Sequence, residues 1–94
     1  MDRLPCQPKF ALGQVCATPG ALTTLTTLEI ATALLRHQRG DWGELCKEDI
    51  EENERSLREG FRLFSAYKSA NNEKFWIITE ADRSVTTVLL PSEY

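Results

Sequence analysis

The chain has 94 residues, of which 41% are hydrophobic and 27% charged, a size and balance typical of one soluble globular domain. Its net charge of −3 disfavours non-specific binding to nucleic acid, and its apolar runs are far shorter than the ~18 residues of a membrane span. We therefore expect a loose N-terminal arm at residues 1–9 and a single domain at 10–94. The start lacks the apolar region of a secretory signal, and an odd number of cysteines favours a reducing, cytoplasmic setting.

The first half of the chain predicts one strand followed by helices. Residues 10–17 favour a strand, and a short helix follows at about 19–25. Thr26 and Glu29 fit a capping box that begins a second helix, and Gly40 ends that helix. The helix carries an apolar stripe at spacings of three and four, formed by Leu28, Ala31 and Leu35 with Ile30 and Leu34.

The second half predicts one charged helix and three strands. The helix runs from about Lys47 to Glu59 and stops at Gly60. Alternating strands at 61–68, 74–80 and 85–90, joined by short turns, predict an antiparallel meander. The expected fold class is α+β, with an N-terminal strand, two to three helices and the three-stranded meander packed on the 28–35 helix.

Acidic residues are concentrated in one segment. Residues 44–59 hold seven acidic and three basic side chains, a net charge of −4, which leaves +1 for the rest of the chain. This pattern is explained by a solvated helix face. It is also explained by a surface that imitates the charge of nucleic acid or docks on a basic partner.

Two polar segments are candidates for chemistry. Residues 37–44 contain the only histidine, His37, and residues 79–84 form the turn between the last two strands. The first segment can equally be a helix end with a turn and a hydrophobic plug, and the second a plain turn. If the two segments meet, His37, Asp41 and Arg83 could act as base, orienting carboxylate and charge stabiliser in metal-independent phosphodiester cleavage.

Metal, cofactor and nucleic-acid signals are weak. Cys6, Cys16, His37 and Cys46 could in principle ligate a metal, but their spacing has no Cys-x-x-Cys knuckle, and Cys16 reads as a buried residue of a strand. No metal or cofactor is therefore expected, and no phosphate loop or nucleophile elbow is present. Weak nucleic-acid binding is a further possibility, because cations lie near tryptophans in the sequence, but the net charge of the chain disfavours it. The residues that would bind are Arg36, Arg39, Lys74 and Arg83 beside Trp42 and Trp76.

Three stretches resemble a family of small bacterial plasmid and conjugative-element proteins. They are residues 15–22, residues 36–45 and residues 76–91. Members of that family are described as plasmid-related proteins or as type I restriction-modification subunits, and 94 residues are too few for a methyltransferase domain. The resemblance implies a mobile-element protein and supplies no catalytic residue.

The sequence therefore favours a non-enzymatic mobile-element accessory protein that binds another protein, and a host defence or restriction component is the partner that this setting suggests. The small metal-independent nuclease or toxin with His37, Asp41 and Arg83 is the alternative. Nucleic acid and membrane are not expected partners, and the oligomeric state stays open. The candidate binding residues are Asp41, Trp42, Glu44, Glu48, Asp49, Glu51, Glu52, Asp82 and Arg83.

Overall fold

The structure, a computed structural model, describes residues 8–94 as three helices and four strands, which confirms the α+β class. Most of the predicted N-terminal arm at 1–9 lies outside the described residues. No helix in the part that is described is long and apolar enough to cross a membrane. In chain order the elements are β1 (Gln14–Ala17), α1 (Pro19–Thr24), α2 (Thr27–Gln38), α3 (Lys47–Glu59), β2 (Leu63–Lys68), β3 (Lys74–Thr79), β4 (Val85–Leu89) and a 3-10 turn at Pro91–Glu93.

The strands form one mixed sheet in the order β1-β4-β3-β2. Strands β2, β3 and β4 make the antiparallel part, whereas β1 pairs in parallel with β4. The N-terminal strand is therefore a fourth member of the sheet, a pairing that the sequence analysis did not predict. Gly13 allows the approach, because its φ is +67° and an added Cβ would overlap the Ser84 backbone.

Local signals fix the start of α2 and the end of α3 where the sequence predicts them. The Thr26 hydroxyl accepts from the Glu29 N–H at 3.0 Å, and the Glu29 carboxylate accepts from the Thr26 N–H at 2.9 Å. Helix α2 begins at Thr27, the residue that follows this Thr26 cap. Helix α3 ends at Gly60, whose φ of +81° is the left-handed conformation that glycine adopts without strain.

One face of the sheet, which we call the covered face, packs against α1 and α2. Its core consists of Ala21, Leu25, Ala33, Tyr67, Phe75, Ile77 and Val88. Helix α2 turns Ile30, Ala33 and Leu34 toward this core, but Leu28 is 75% exposed and Leu35 is 57% exposed. The predicted packing stripe is thus wrong for Leu28, Ala31 and Leu35. Two apolar rows run along α2. The row of Leu28, Ala31 and Leu35 faces solvent, and the row that contains Ala33 faces the sheet and continues to His37.

The outer edge of β2 is closed by residues that precede it in the chain. Asn53 of α3 donates its side-chain N–H to the Phe64 carbonyl and accepts from the Phe64 N–H at 3.1 Å. The Ala66 N–H donates to the Trp42 carbonyl at 3.2 Å, and the Glu44 N–H donates to the Ala66 carbonyl at 2.7 Å. These contacts satisfy the free edge of the strand and fix α3 beside it.

Of the helices in residues 8–94, no α-helix packs on the other face of the sheet, which we call the open face. Phe64, Trp76 and Ile78 lie on this face, because each alternates with a residue of the covered face. The C-terminal residues 91–94 cover part of it, and Trp76 meets the Tyr94 ring edge-on at 5.8 Å. Cys16 is exposed on β1, so the expectation that it is a buried strand residue is wrong.

Candidate functional site

The outward side of α3 presents a set of carboxylates that we call the acidic face: Glu48, Asp49, Glu51 and Glu52. All four residues are exposed. Within residues 8–94, the first three have no cationic side chain within 4 Å, and Glu52 lies 3.9 Å from Arg55. Because these charges are mostly unpaired within the described chain, their field extends into solvent and is available to a second molecule.

Helix stability accounts for only part of the acidic face. Glu48 and Asp49 lie in the first turn of α3, where negative charge is favourable beside the positive end of the helix dipole. Glu51 and Glu52 lie beyond that turn, where the dipole contribution has fallen off. Solvation of the outer helix face accounts for the exposure of these two residues, but neither solvation nor the dipole sets the sign of their charge.

The loop before α3 carries two further carboxylates, and each of them is paired with a cation. The Arg36 Nε donates to Asp41 at 2.8 Å, and the Gly43 N–H donates to the other oxygen at 3.2 Å. The hydrogen bond from Arg36 lowers the pKa of Asp41 below its ordinary value. Glu44 lies 3.8 Å from Lys68, and both of these side chains are about half exposed.

Trp42 connects this loop to the helix from inside the protein. Its side chain is only 3% exposed, and its Nε1–H donates to the Glu54 carboxylate at 2.8 Å. Its ring lies 5.7 Å from His37 and 6.3 Å from Phe10. Trp42 therefore holds Asp41 and Glu44 next to α3 and offers almost no surface to a partner.

Asp82 and Arg83 have local roles in the turn between β3 and β4. Asp82 accepts from the Ser84 N–H and hydroxyl, which lowers the pKa of its carboxyl. Arg83 adopts a φ of +62° and donates to four backbone carbonyls, those of Ser56, Phe61, Glu80 and Ala81. Its guanidinium joins the turn to the end of α3, and these hydrogen bonds compete with any bound anion.

His37 lies at the centre of a buried polar chain on the covered face. The residue is fully buried, and its two ring nitrogens lie 2.5 Å from the Ser65 hydroxyl and 2.9 Å from the Thr79 hydroxyl. Thr79 contacts Thr86 at 2.7 Å, and the Thr86 hydroxyl donates to the Leu12 carbonyl at 2.7 Å. The chain thus joins α2 to three strands and to the segment before β1.

The proton positions in this chain follow from its last member. Because Thr86 donates its single hydroxyl proton to Leu12, Thr79 must donate to Thr86 and accept from His37 Nε2. The neutral ring then accepts from Ser65 at Nδ1. Burial, with a smaller contribution from the charge of Arg83, lowers the pKa of His37 from 6.5 to about 3.

The candidate catalytic residues do not form an accessible site. His37 has no exposed surface, Asp41 is bound by Arg36, and Arg83 is engaged by backbone carbonyls. The two predicted polar segments do approach one another, since Arg83 lies 5.8 Å from the Phe10 ring that packs on His37. The space between them is filled by that ring, so no substrate reaches the histidine.

Of the four residues considered as metal ligands, the three within the described chain do not come together. Cys6 lies outside the described residues, Cys16 and Cys46 are exposed, and His37 has both nitrogens in hydrogen bonds. Among the residues of the described chain, no group of three or more histidine, cysteine or acidic side chains could hold a metal ion.

Comparison with known proteins adds no relative to this picture. No protein-family model, curated protein or solved structure matches the chain. Asp41 and Glu44 lie in the loop before α3, whereas Asp82 and Arg83 lie in the separate turn between β3 and β4.

Proposed function

We propose that this chain is a non-enzymatic binding protein that docks on a basic surface of another protein through the acidic face of α3. Asp41 and Glu44, in the loop before the helix, are each already paired with a cation, so the acidic face itself supplies the charge for docking. Association in this mode is guided by complementary charge, which raises the rate of encounter and selects the partner.

The observation that carries the proposal is the exposed charge of Glu51, which lies beyond the first turn of α3. Lys47 and Arg55 stand four residues before and after Glu51, the spacing at which a cation can pair with an acid on a helix, yet neither lies within 4 Å of its carboxylate. Among the described residues, Arg55 is the only cation in contact with the acids of α3, at 3.9 Å from Glu52 and 3.7 Å from Glu59.

The resemblance to plasmid and conjugative-element proteins supplies the biological setting of the proposal. In that setting the chain is an accessory protein of a mobile element, and its partner is a host defence or restriction component. Proteins that handle nucleic acid carry basic surfaces, so a negatively charged helix is a suitable ligand for one of them.

Neutralising the acidic face tests this proposal. We expect the purified chain to retain a specific protein from a bacterial extract at low salt, as identified by mass spectrometry and then confirmed with the purified partner. The variant carrying Glu48→Gln, Asp49→Asn, Glu51→Gln and Glu52→Gln should bind that partner at least tenfold more weakly.

A matched control uses Glu73, an exposed acid in the turn between β2 and β3. Glu73→Gln removes one charge far along the chain from α3, and it should leave binding within twofold. Equal binding by wild type and the fourfold variant, with unchanged circular dichroism, would show that the acidic face is not the docking surface.

A further inference from the structure

We propose that the open face of the sheet holds a second contact of the same interaction: a groove that receives one large apolar side chain of a basic protein segment. The groove is lined by Phe64, Trp76, Ile78 and Tyr94, with Arg62 at its rim. This inference rests on the proposed protein-binding function and names the chemistry of the partner.

The groove has the size and walls of a pocket for a single side chain. Its volume is about 270 Å³, and its lining is mostly apolar. The Phe64 ring meets Trp76 edge-on at 5.0 Å, and Trp76 meets Tyr94 edge-on at 5.8 Å. An aromatic or long aliphatic side chain placed there would gain contacts with three rings and with Ile78.

The rim of the groove is close to neutral. Arg62 lies 3.5 Å from Glu80 and stands over the Tyr94 ring at 6.0 Å. Because the charge of Arg62 is balanced by Glu80, the rim neither attracts an anion strongly nor repels a nearby cation. The charge that selects the partner must therefore come from the neighbouring element, which is α3.

Helix α3 runs beside the groove. It begins shortly after Glu44, which bonds to Ala66, and it ends at Gly60, just before β2. The helix thus lies antiparallel along the edge of β2, and Asn53 points at Phe64, a residue of the groove. Only the width of this edge separates the groove from the helix.

Helical geometry places a row of acids on the flank nearest the groove. At 100° per residue, positions 52 and 54 lie on opposite sides of Asn53. Glu54 bonds to Trp42, which packs on His37 of the covered face, so the flank of residue 52 lies toward the open face. We call this row the acidic flank, and it consists of Asp49, Glu52 and Glu59. Arg55 lies 3.9 Å from Glu52 and 3.7 Å from Glu59, which leaves the flank a net charge of −2.

Together the groove and the acidic flank define one occupant. A protein segment with an aromatic or large aliphatic residue next to lysines or arginines would fill the groove and pair with the flank. Nucleic acid could stack on the same rings, but its phosphates would be repelled by Glu52 and Glu59. Charge complementarity therefore favours a basic peptide.

Selection from a random peptide library on the immobilised full-length chain tests this assignment. We expect the selected peptides to share one aromatic or large aliphatic residue with at least two lysines or arginines within four positions. Fluorescence anisotropy of one such labelled peptide then gives its dissociation constant. Trp76→Ala should weaken binding at least tenfold, and the triple variant Asp49→Asn, Glu52→Gln, Glu59→Gln at least fivefold.

Two controls keep the result interpretable if Trp76→Ala perturbs the fold. Tyr94 is 71% exposed, so Tyr94→Ala should preserve circular dichroism and still weaken binding several-fold. Glu73 is exposed in the turn between β2 and β3, at the opposite end of these strands from Phe64 and Ile78, so Glu73→Gln should leave peptide binding within twofold.

Several outcomes would overturn the assignment. They are the absence of any enriched peptide, a consensus that lacks either the apolar or the basic residues, and binding that is unchanged by both Trp76→Ala and Tyr94→Ala. A dimer of the chain that Trp76→Ala dissociates in sedimentation would identify a second copy as the occupant instead. If the extract partner still requires the acidic face but not the groove, the proposed function stands and this inference fails.

Discussion

The two faces of the sheet are built from neighbouring residues of the same strands, yet they differ in how completely their side chains are packed and hydrogen-bonded within the protein. On the covered face, Phe75 and Ile77 are packed under helices, and no buried side-chain polar atom of the described residues lacks a partner. On the open face, Trp76 is only half-buried and lines a groove. The covered face therefore maintains the fold, and the open face is the one left for contact with other molecules.

The largest difference in stability between the two faces should come from substituting two adjacent residues of β3, Phe75 and Trp76. Phe75→Ala removes a side chain that is 2% exposed, and it should lower the free energy of unfolding by about 3–5 kcal/mol. Trp76→Ala removes a larger ring from the open face, and it should cost less, about 1–2 kcal/mol, because part of that ring already contacts water. Urea unfolding of both variants measures the difference.

A cost for Trp76→Ala as large as that for Phe75→Ala would contradict this comparison, because it would make the open face a second core. In that case the groove would be a packing defect under the C-terminal residues. The double variant with Tyr94→Ala then decides how much of the cost comes from the contact between the two rings.

The buried polar chain gives the next largest effect. His37→Ala leaves the hydroxyls of Ser65 and Thr79 without their partner and opens a cavity, so we expect a loss of about 3 kcal/mol. Arg39 lies exposed at the end of the same helix and serves as the control, since Arg39→Ala should change stability by less than about 0.5 kcal/mol. Similar losses for the two variants would show that the buried polar chain around His37 contributes nothing to the free energy of unfolding.

The same histidine makes stability depend on pH. In the unfolded chain His37 titrates near its ordinary pKa of 6.5, whereas burial lowers its pKa to about 3 in the folded protein. Between these values the unfolded state binds a proton that the folded state does not, so the free energy of unfolding falls as pH falls. The expected loss is about 2 kcal/mol between pH 7 and pH 5.

Urea titrations at several pH values measure this slope, and His37→Gln should remove most of it above pH 5. The carboxyls with lowered pKa values have ordinary values of 3.8 to 4.5, so their contribution is lost mainly below pH 5; they are Glu29, Asp41, Asp82 and Glu93. A wild-type slope that persists in His37→Gln would place the responsible group elsewhere.

Local signals in the sequence predicted most of the secondary structure. The capping box of Thr26 and Glu29 and the stop at Gly60 depend on residues a few positions apart, and the structure confirms both. The pairing of β1 with β4 joins Gln14 to Val85, two residues that nothing in the local pattern connects. Sequence reasoning has no means of choosing such a partner for a short strand.

The sites were less predictable than the elements, because burial is decided by distant partners. The hydroxyls that engage His37 come from β2 and β3, and the carboxylate that engages Trp42 comes from α3. One signal was present in the sequence: Ser65, Thr79 and Thr86 each lie two positions from an apolar residue of the same strand, on the same strand face; those residues are Leu63, Ile77 and Val88. Inward polar residues of that kind predict a buried polar partner, and this chain has a single histidine.

Helix α2 offers the smallest effect and a direct test of which of its rows faces the sheet. Leu28→Lys and Leu35→Lys should each change the free energy of unfolding by no more than about 0.5 kcal/mol, because both side chains already project into solvent. Ala33→Lys, on the inner row, should prevent folding or cost several-fold more, since that position is 4% exposed. A large loss in the leucine variants would mean that a further surface covers this row in solution, and a dimer in sedimentation that both lysines dissolve would identify a second copy as that surface.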